Sequence, residues 1–317
     1  MGGLAVAGLL ATVAVGSARS ASALLRASWP RRSPAAAILL WQALGLAGGL
    51  AAVGALLAAG VGGQDTRHAG VLGGLTTFAQ RLASGRLLDP HQPLLVISAH
   101  LIMLAAGLAL LTVLCWELVV AFAAAIGARR RQRALLALLA HGDPKAPGAL
   151  VIDYPAAAAY CLPGIRSQIV VSAGTLDLLA PAELAAVLAH ERAHVRARHD
   201  LVLIPFTSLR RAFPRSRVIT QAYQTVALLV EMMADDRALR ARGLVARELA
   251  TALLRFGTAG TGCAPAGALA VAEGELTARV NRLLVPPPPL SRSAHAAIVL
   301  AAALLAAAPV LLLVTTL

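Results

Sequence analysis

The sequence predicts a mainly α-helical integral membrane protein with four transmembrane helices and one α+β domain between the third and the fourth. Of the 317 residues, 58% are hydrophobic and only 14% are charged, whereas soluble chains carry about 25% charge. The apolar residues are also gathered into long blocks, and this pattern excludes a disordered chain. The three cysteines lie far apart and form no CxxC pair, which excludes a disulfide-stapled secreted module.

Four apolar blocks predict membrane spans, because a spanning helix needs about 20 apolar residues to cross about 30 Å of hydrocarbon. The blocks are residues 2–18, 34–62, 93–127 and 294–317. The first is short, but no Lys or Arg precedes its apolar stretch, so we interpret it as a retained span rather than a signal peptide. The chain then divides into three spans within 1–127, a domain at 128–293 and a last span.

The segments that follow the first and third blocks are rich in arginine. These residues are Arg19, Arg26, Arg31 and Arg32 after the first block and Arg129, Arg130, Arg131 and Arg133 after the third. Because Lys and Arg concentrate on the cytoplasmic side, we expect the domain in the cytoplasm and both termini outside. Attraction to anionic membrane lipid explains the net charge of +13. We expect no direct binding to nucleic acid, because no motif that reads bases accompanies the basic residues.

The two ends of the domain differ in pattern. Near its start, the β-branched runs 150–154 and 169–172 flank a turn-rich segment at 162–165, which predicts a hairpin or a small sheet. At its end, residues 286–289 are all proline. A run of prolines is stiff and extended, so it predicts a spacer that leads into the last span.

Two helices are expected in the centre of the domain. Pro181 at a first-turn position opens a helix that should run to about His199. A second helix is expected over about 219–242 and should end at Gly243. Between them, the apolar segment 201–206 is too short to span and is followed by arginines, which suggests a loop that touches the inner leaflet. A buried connector is an equal alternative.

The first of these helices carries an HExxH motif, His190-Glu-Arg-Ala-His194. Two imidazoles four residues apart leave a helix on one face about one turn apart, which lets both bind one zinc ion. Glu191 then lies beside the metal, where a carboxylate can take a proton from zinc-activated water and return it to the leaving amine. The motif predicts a peptidase site with one zinc ion per chain.

The site needs a third protein ligand. Metzincins would have glycine at position 197 and histidine at position 200, but this chain has Ala197 and Asp200. A later acidic pair, Glu231 and Asp235, lies four residues apart on the second predicted helix. Glu231 can complete a site of two His and one Glu, and Asp235 can accept the far N–H of a ligand imidazole.

In these motifs and in the order of its spans, the chain resembles the BlaR and MecR-type antirepressor metallopeptidases, integral membrane relatives of the HtpX-like peptidases. The likeness rests on HERAH at 190–194, EMMAD at 231–235, and three spans before the domain with one after it. It implies a gluzincin-type domain with zinc on His190, His194 and Glu231, with Glu191 as general base and Asp235 behind a ligand. Antibiotic-sensing members carry a penicillin-binding sensor domain after the last span, and this sequence has no SxxK or SDN motif for one. We therefore expect the stimulus to come from a separate sensor protein or from the bilayer.

Other ionisable residues give weaker signals. His199, five residues past His194, could reach zinc only if the helix turned there, and otherwise it would interact with the end of the helix. His100 and Glu117 lie in the third apolar block, where ionisable groups raise a functional question, although Glu117 can sit at the cytoplasmic interface. Candidate donors to the oxyanion are Tyr160, Tyr223 and Arg240, and nothing in the spacing selects one.

These patterns predict a membrane-anchored zinc endopeptidase that cleaves a cytosolic protein, with a transcriptional repressor as one candidate. An HtpX-like quality-control peptidase would carry the same motif. In a third interpretation zinc only stabilises a non-catalytic signalling scaffold, and the intact Glu191 argues against it. Intramembrane proteolysis is disfavoured, because Arg192, Arg196 and Arg198 make the HExxH helix a poor span.

Overall fold

The computed structural model describes most of the chain. The described residues are 3–61, 73, 75–76, 79–80, 83–84, 93–162, 167–240, 245–259 and 266–314. The predicted turn at 162–165, Gly243 and the last three residues of the fourth apolar block therefore lie wholly or partly outside the described residues. The helix predicted to run to 242 already ends at Ala238, where residues 239–240 form a turn.

Among the described residues, four helices are long and apolar enough to cross a membrane, and they coincide with the four predicted blocks. They are α1 (Gly3–Arg26), α2 (Pro34–Val61), α3 (Leu94–Leu139) and α11 (Arg292–Val314). This arrangement fits a multi-pass membrane protein. α2 is the central helix, since it packs against each of the other three. A Cβ on its Gly60 would lie 2.5 Å from the backbone nitrogen of Leu104, so glycine at this position allows the close approach of α2 and α3.

α3 is longer than the predicted span. It has 46 residues, which at 1.5 Å per residue gives a length of about 69 Å, more than twice the hydrocarbon thickness. The predicted domain boundary at 127/128 therefore falls inside a continuous helix. The arginine-rich stretch that follows contains no proline, and its Arg, Leu and Ala residues favour helix, so nothing in the sequence stops the helix before residue 139.

A small four-stranded sheet follows α3, as predicted. Its strands are β1 (Ala140–Gly142), β2 (Leu150–Ile152), β3 (Ala159–Leu162) and β4 (Gln168–Ser172), in the order β1-β2-β4-β3. The two predicted runs, β2 and β4, are parallel neighbours rather than a hairpin. β3 pairs antiparallel with β4 and forms one edge of the sheet.

Seven helices complete the described part of the domain. They are α4 (Ala173–Leu178), α5 (Pro181–Ala197), α6 (His199–Val202), α7 (Ile204–Ala212), α8 (Arg217–Ala238), α9 (Ala246–Ala259) and α10 (Ala266–Leu284). The predicted loop at 201–206 is wrong, because this segment belongs to α6 and α7. Ile204 and Phe206 are buried, which agrees with the alternative of a buried connector.

The domain shares a core with the membrane helices. Trp41 of α2 and Phe206 of α7 pack in one buried cluster with Val226, Leu229 and Val230 of α8. A second cluster joins the sheet to α5 and α9. α5 and α8, the two helices that carry the predicted site, also pack directly against each other. The site is therefore held between the sheet and the candidate spans.

Candidate metal centre

α5 is fixed at its start and along its apolar face. Pro181 is its first residue, and the carboxylate of Glu183 accepts a hydrogen bond from the backbone N–H of Ala180 at 2.9 Å. Leu184 and Leu188 are buried against the sheet. With these residues anchoring the helix, the HExxH side chains project into a cavity between α5, α8 and β3.

The three predicted ligands come together. The Nε2 atoms of His190 and His194 lie 3.1 Å apart. From Glu231 of α8, Oε2 lies 3.3 Å from Nε2 of His190, and Oε1 lies 3.5 Å from Nε2 of His194. One ligand atom from each residue falls within a group no wider than 4.8 Å. The i, i+4 spacing on α5 and the packing of α8 across it therefore bring three donor atoms to one point.

These donors fit a single zinc ion. Two imidazoles and a carboxylate are a common set of ligands for catalytic zinc, and ligand distances near 2.0–2.1 Å in a tetrahedral site place neighbouring donors about 3.3 Å apart. The two Nε2 atoms are 3.1 Å apart, and each lies 3.3 or 3.5 Å from one of the two carboxylate oxygens of Glu231, close to that spacing. Both imidazoles also turn their Nε2 atoms toward the same point. If both rings are neutral, these two nitrogens can share at most one hydrogen bond, in which one ring donates and the other accepts.

Asp235 lies behind the first histidine. Its side chain is only 1% exposed, and its Oδ1 is 2.9 Å from Nδ1 of His190. This contact orients the imidazole so that the opposite nitrogen faces His194 and Glu231. Such an arrangement of carboxylate and imidazole is typical of the groups that support metal ligands.

Arg279 of α10 is a member of the site that the sequence did not indicate. Its Nε lies 2.9 Å from Oδ2 of Asp235 and its Nη2 2.7 Å from Oδ1, a bidentate pair. Its Nη1 lies 3.1 Å from Oε2 of Glu231. One guanidinium therefore positions both Glu231 and Asp235 of α8. No spacing rule links a single arginine to an acidic residue 44 positions earlier, so sequence reasoning had no signal for it.

The buried charges shift the pKa values of the site without a metal. Burial opposes ionisation of Glu231 and Asp235, but hydrogen bonds from the histidines and the charge of Arg279 prevail and hold both carboxyl pKa values below their usual range. Burial alone would lower the pKa of His190, yet the two carboxylates beside it raise this pKa to about 9. The acidic residues are thus ionised, as metal ligands and their supporting groups must be.

Glu191 faces the same cavity, which has a volume of about 510 Å³. Burial raises the pKa of its carboxyl group above the usual range, although His190 and His194 oppose the shift. A carboxyl group with a pKa moved toward neutrality is suited to exchange protons. Cys161 of β3 also lines the cavity, and burial, followed by the charge of Glu191, raises the pKa of its thiol to about 12. Its thiol therefore stays protonated.

His199 contacts a ligand rather than acting as one. Arg198 adopts a left-handed conformation at the end of α5 (φ 50°, ψ 46°), and this turn returns the chain beneath His194. Nδ1 of His199 then lies 3.0 Å from Nδ1 of His194, and Nη1 of Arg237 lies 2.9 Å from Nε2 of His199. Burial, His194 and Arg237 lower the pKa of His199 to about 3. His199 is therefore a neutral partner for the far nitrogen of His194.

The remaining ionisable residues differ in whether they line the cavity of the site. Tyr160 lines the cavity, whereas Tyr223 lies under the guanidinium of Arg210 at 4.2 Å, and Arg240 is exposed just after α8. Glu117 pairs with Arg211 of α7 at 2.6 Å, which places it where α3 meets the domain. Of the three oxyanion candidates, Tyr160 is the one that lines this cavity.

A comparison with protein families finds one match in this region. Residues 125–259 match the model of peptidase family M48. The match supports the M48 metallopeptidase family, whose members are metal-dependent, and does not distinguish the BlaR and MecR-type subgroup. The matched range contains the HExxH motif and Glu231, and it ends before α10 and Arg279. Neither the curated proteins nor the solved structures include a match to this chain.

Proposed function

We propose that the protein is a membrane-anchored zinc endopeptidase, with one zinc ion held by His190, His194 and Glu231. The convergence of these three side chains beside Glu191, in a cavity of about 510 Å³, is the observation that carries the proposal. The match to a metallopeptidase family over the same residues supports it.

The side chains divide the chemistry among them. Zinc, when bound, would act as a Lewis acid that lowers the pKa of water and polarises the scissile carbonyl. Glu191 accepts the proton of the attacking water and delivers it to the leaving amine, a double role that its raised pKa favours. Asp235 and His199 hold the far nitrogens of the two histidines, and Tyr160 is placed to donate to the developing oxyanion.

The wall of the cavity suits an extended peptide. Residues 157–161 line it, and β3, which contributes three of them, is an edge strand in the described sheet. An edge strand has backbone groups that can pair with a peptide in extended conformation. Leu249, Leu253 and Phe256 of α9 line the same cavity as an apolar patch, which favours substrates with a large apolar side chain near the cleaved bond.

We further propose that the domain lies in the cytoplasm, that both termini lie outside, and that the substrate is a cytosolic protein. The arginines after α1 and in the second half of α3 support this orientation. A transcriptional repressor remains the preferred substrate, with the stimulus coming from a separate sensor protein or from the bilayer. Labelling of single cysteines from the outer side of intact cells tests the orientation. A cysteine at Gly85 should react and one at Pro214 should not, and the reverse pattern would overturn a cytosolic substrate.

A quality-control peptidase of the HtpX kind is the second candidate, because the apolar patch of α9 would also accept segments exposed in damaged proteins. The two candidates differ in their substrates. Newly formed protein amino termini would be compared between cells that carry the wild type and cells that carry Glu191→Gln. One or a few cleaved regulators would support signalling, and many unrelated membrane proteins would support quality control. Identical amino termini in both strains would exclude both candidates.

A further inference from the structure

A second cavity, with a volume of about 590 Å³, lies among the membrane helices where they meet the domain. Four helices form its wall. Residues that represent them are Leu46 of α2, Leu118 of α3, Leu209 of α7, and Ala303 and Ala306 of α11. Leu46 is 53% exposed and Leu118 is 44% exposed, so the cavity opens to the side of the helix bundle.

The wall offers hydrocarbon and almost no free hydrogen-bonding group. Gln42 already donates from Nε2 to the carbonyl oxygen of Val202 at 2.8 Å. Ser208 already donates to the carbonyl oxygen of Pro205 at 2.8 Å. Cys115 adds a thiol, which behaves as a small apolar group. The occupant of this cavity is therefore apolar along the part that enters it.

The volume decides what kind of apolar group enters. It lies in the range of small-molecule sites, about 300–1,000 Å³. A flexible hydrocarbon chain suits a cavity of this size and apolar lining.

We propose that this cavity binds one acyl chain of a membrane phospholipid, an inference that rests on the membrane location proposed above. α2, α3 and α11 are three of the four candidate spans, so bilayer hydrocarbon reaches the lateral opening. At the domain end, Leu209 is followed by the exposed Arg210, which stacks on Tyr223, and Arg211, which pairs with Glu117. With one carboxylate against two guanidinium groups, these contacts leave one net positive charge at this level. Cationic side chains at that level suit the phosphate of the same lipid, whose tail lies in the cavity.

The site adjoins the helix that carries the third metal ligand. Phe206 lines the cavity and packs against Val226, Leu229 and Val230 of α8. Glu231 is the next residue on that helix. The acyl chain therefore contacts an aromatic ring of the same buried cluster as the α8 residues that precede Glu231.

Photochemical labelling tests the proposal on the full chain, reconstituted in phosphatidylcholine vesicles that contain a phospholipid with a diazirine in its acyl chain. Ala43, Phe206 and Ala302 line the cavity but are only 6%, 3% and 2% exposed. Lipid that merely surrounds the protein would label exposed side chains instead. We expect label on these three residues after irradiation and digestion.

Variants of α11 distinguish labelling inside the cavity from labelling on the exposed surface of the helices. Ala303→Phe fills the cavity and should reduce this labelling several-fold, whereas Ala301→Phe, at an exposed position outside the lining, should leave it unchanged. Ala306→Phe repeats the test if Ala303→Phe does not fold, as judged by gel filtration and thermal unfolding. Equal labelling in the filled and control variants, or label confined to exposed residues, would overturn the proposal. Proteolysis is not part of the readout, so loss of the proposed peptidase activity would not produce any of these results.

Discussion

Two cavities of similar size, about 510 and 590 Å³, lie near α8 in different ways. Glu231 of α8 lines the first, whereas the second is lined by Phe206, which belongs to the same buried cluster as Val226, Leu229 and Val230 of α8. The first contains two histidines, two glutamates and an arginine, and the second is almost wholly apolar. The two cavities therefore do not differ in size. They differ in whether their linings stabilise a buried charge. The metal cavity tolerates buried charge because Arg279, Asp235 and Glu231 form one connected group. The membrane cavity has no such group among its lining residues, which suits it to hydrocarbon.

The largest expected difference between the cavities is in catalysis. Glu191→Gln keeps the shape of the side chain but cannot accept a proton, so proteolysis should fall by roughly 10²–10⁴-fold while metal is retained. Cleavage of an identified substrate by purified protein in vesicles would measure it. Ala301→Phe in α11 serves as the control and should cleave at the wild-type rate. Undiminished cleavage by Glu191→Gln would show that Glu191 is not the general base.

Arg279 tests whether the charges of the metal cavity depend on one another. Arg279→Met leaves Asp235, which is 1% exposed, as a buried carboxylate without its guanidinium, and should lower the free energy of unfolding by about 3 kcal/mol. Arg282→Met, one turn later on α10, is a matched control. Its partner Asp236 is 32% exposed and remains in contact with water, so the loss should be at most about 1 kcal/mol. Thermal unfolding of both variants would measure these losses. Equal losses in the free energy of unfolding would show that burial of the carboxylate does not determine the effect of losing its arginine.

His199 tests the support of the second histidine. His199→Ala removes the partner of Nδ1 of His194 and should weaken metal binding by about 10–100-fold, with the ligands still present. Competition with a chelator of known affinity would measure the change. His141 is exposed in β1, so His141→Ala should leave the affinity unchanged. If the two variants bind metal equally well, His199 is only a packing residue.

The smallest effect on metal binding is expected from a change in the second cavity, the one among the candidate spans. Ala303→Phe should bind as much metal as the wild type, because its side chain enters a cavity that contributes no ligand. Metal analysis of the purified variant would show this. A clear loss of metal would mean that the two cavities are mechanically coupled through Phe206 and α8, and the comparison between them would need revision.

The part of the structure that local patterns control could be predicted from the sequence. Helical periodicity brings His190 to His194, and Glu231 to Asp235, and apolar length located the four candidate spans. Contacts between distant segments left no such pattern. Arg279 reaches α8 from a separate helix, and β2 pairs with β4 in parallel because β3 returns the chain between them. The short apolar segment at 201–206 fits a buried helix as well as a membrane loop, and only its packing against α2 and α8 decides.

The central claim is that two histidines and Glu231 hold one zinc ion, and the metal content of detergent-purified protein tests it most directly. We expect about one zinc per chain in the wild type and in Glu191→Gln. Glu231→Ala should lose most of its zinc, and His190→Ala combined with His194→Ala should lose all of it. Less than about half an equivalent in the wild type, or undiminished zinc in the double histidine variant, would contradict the proposed site.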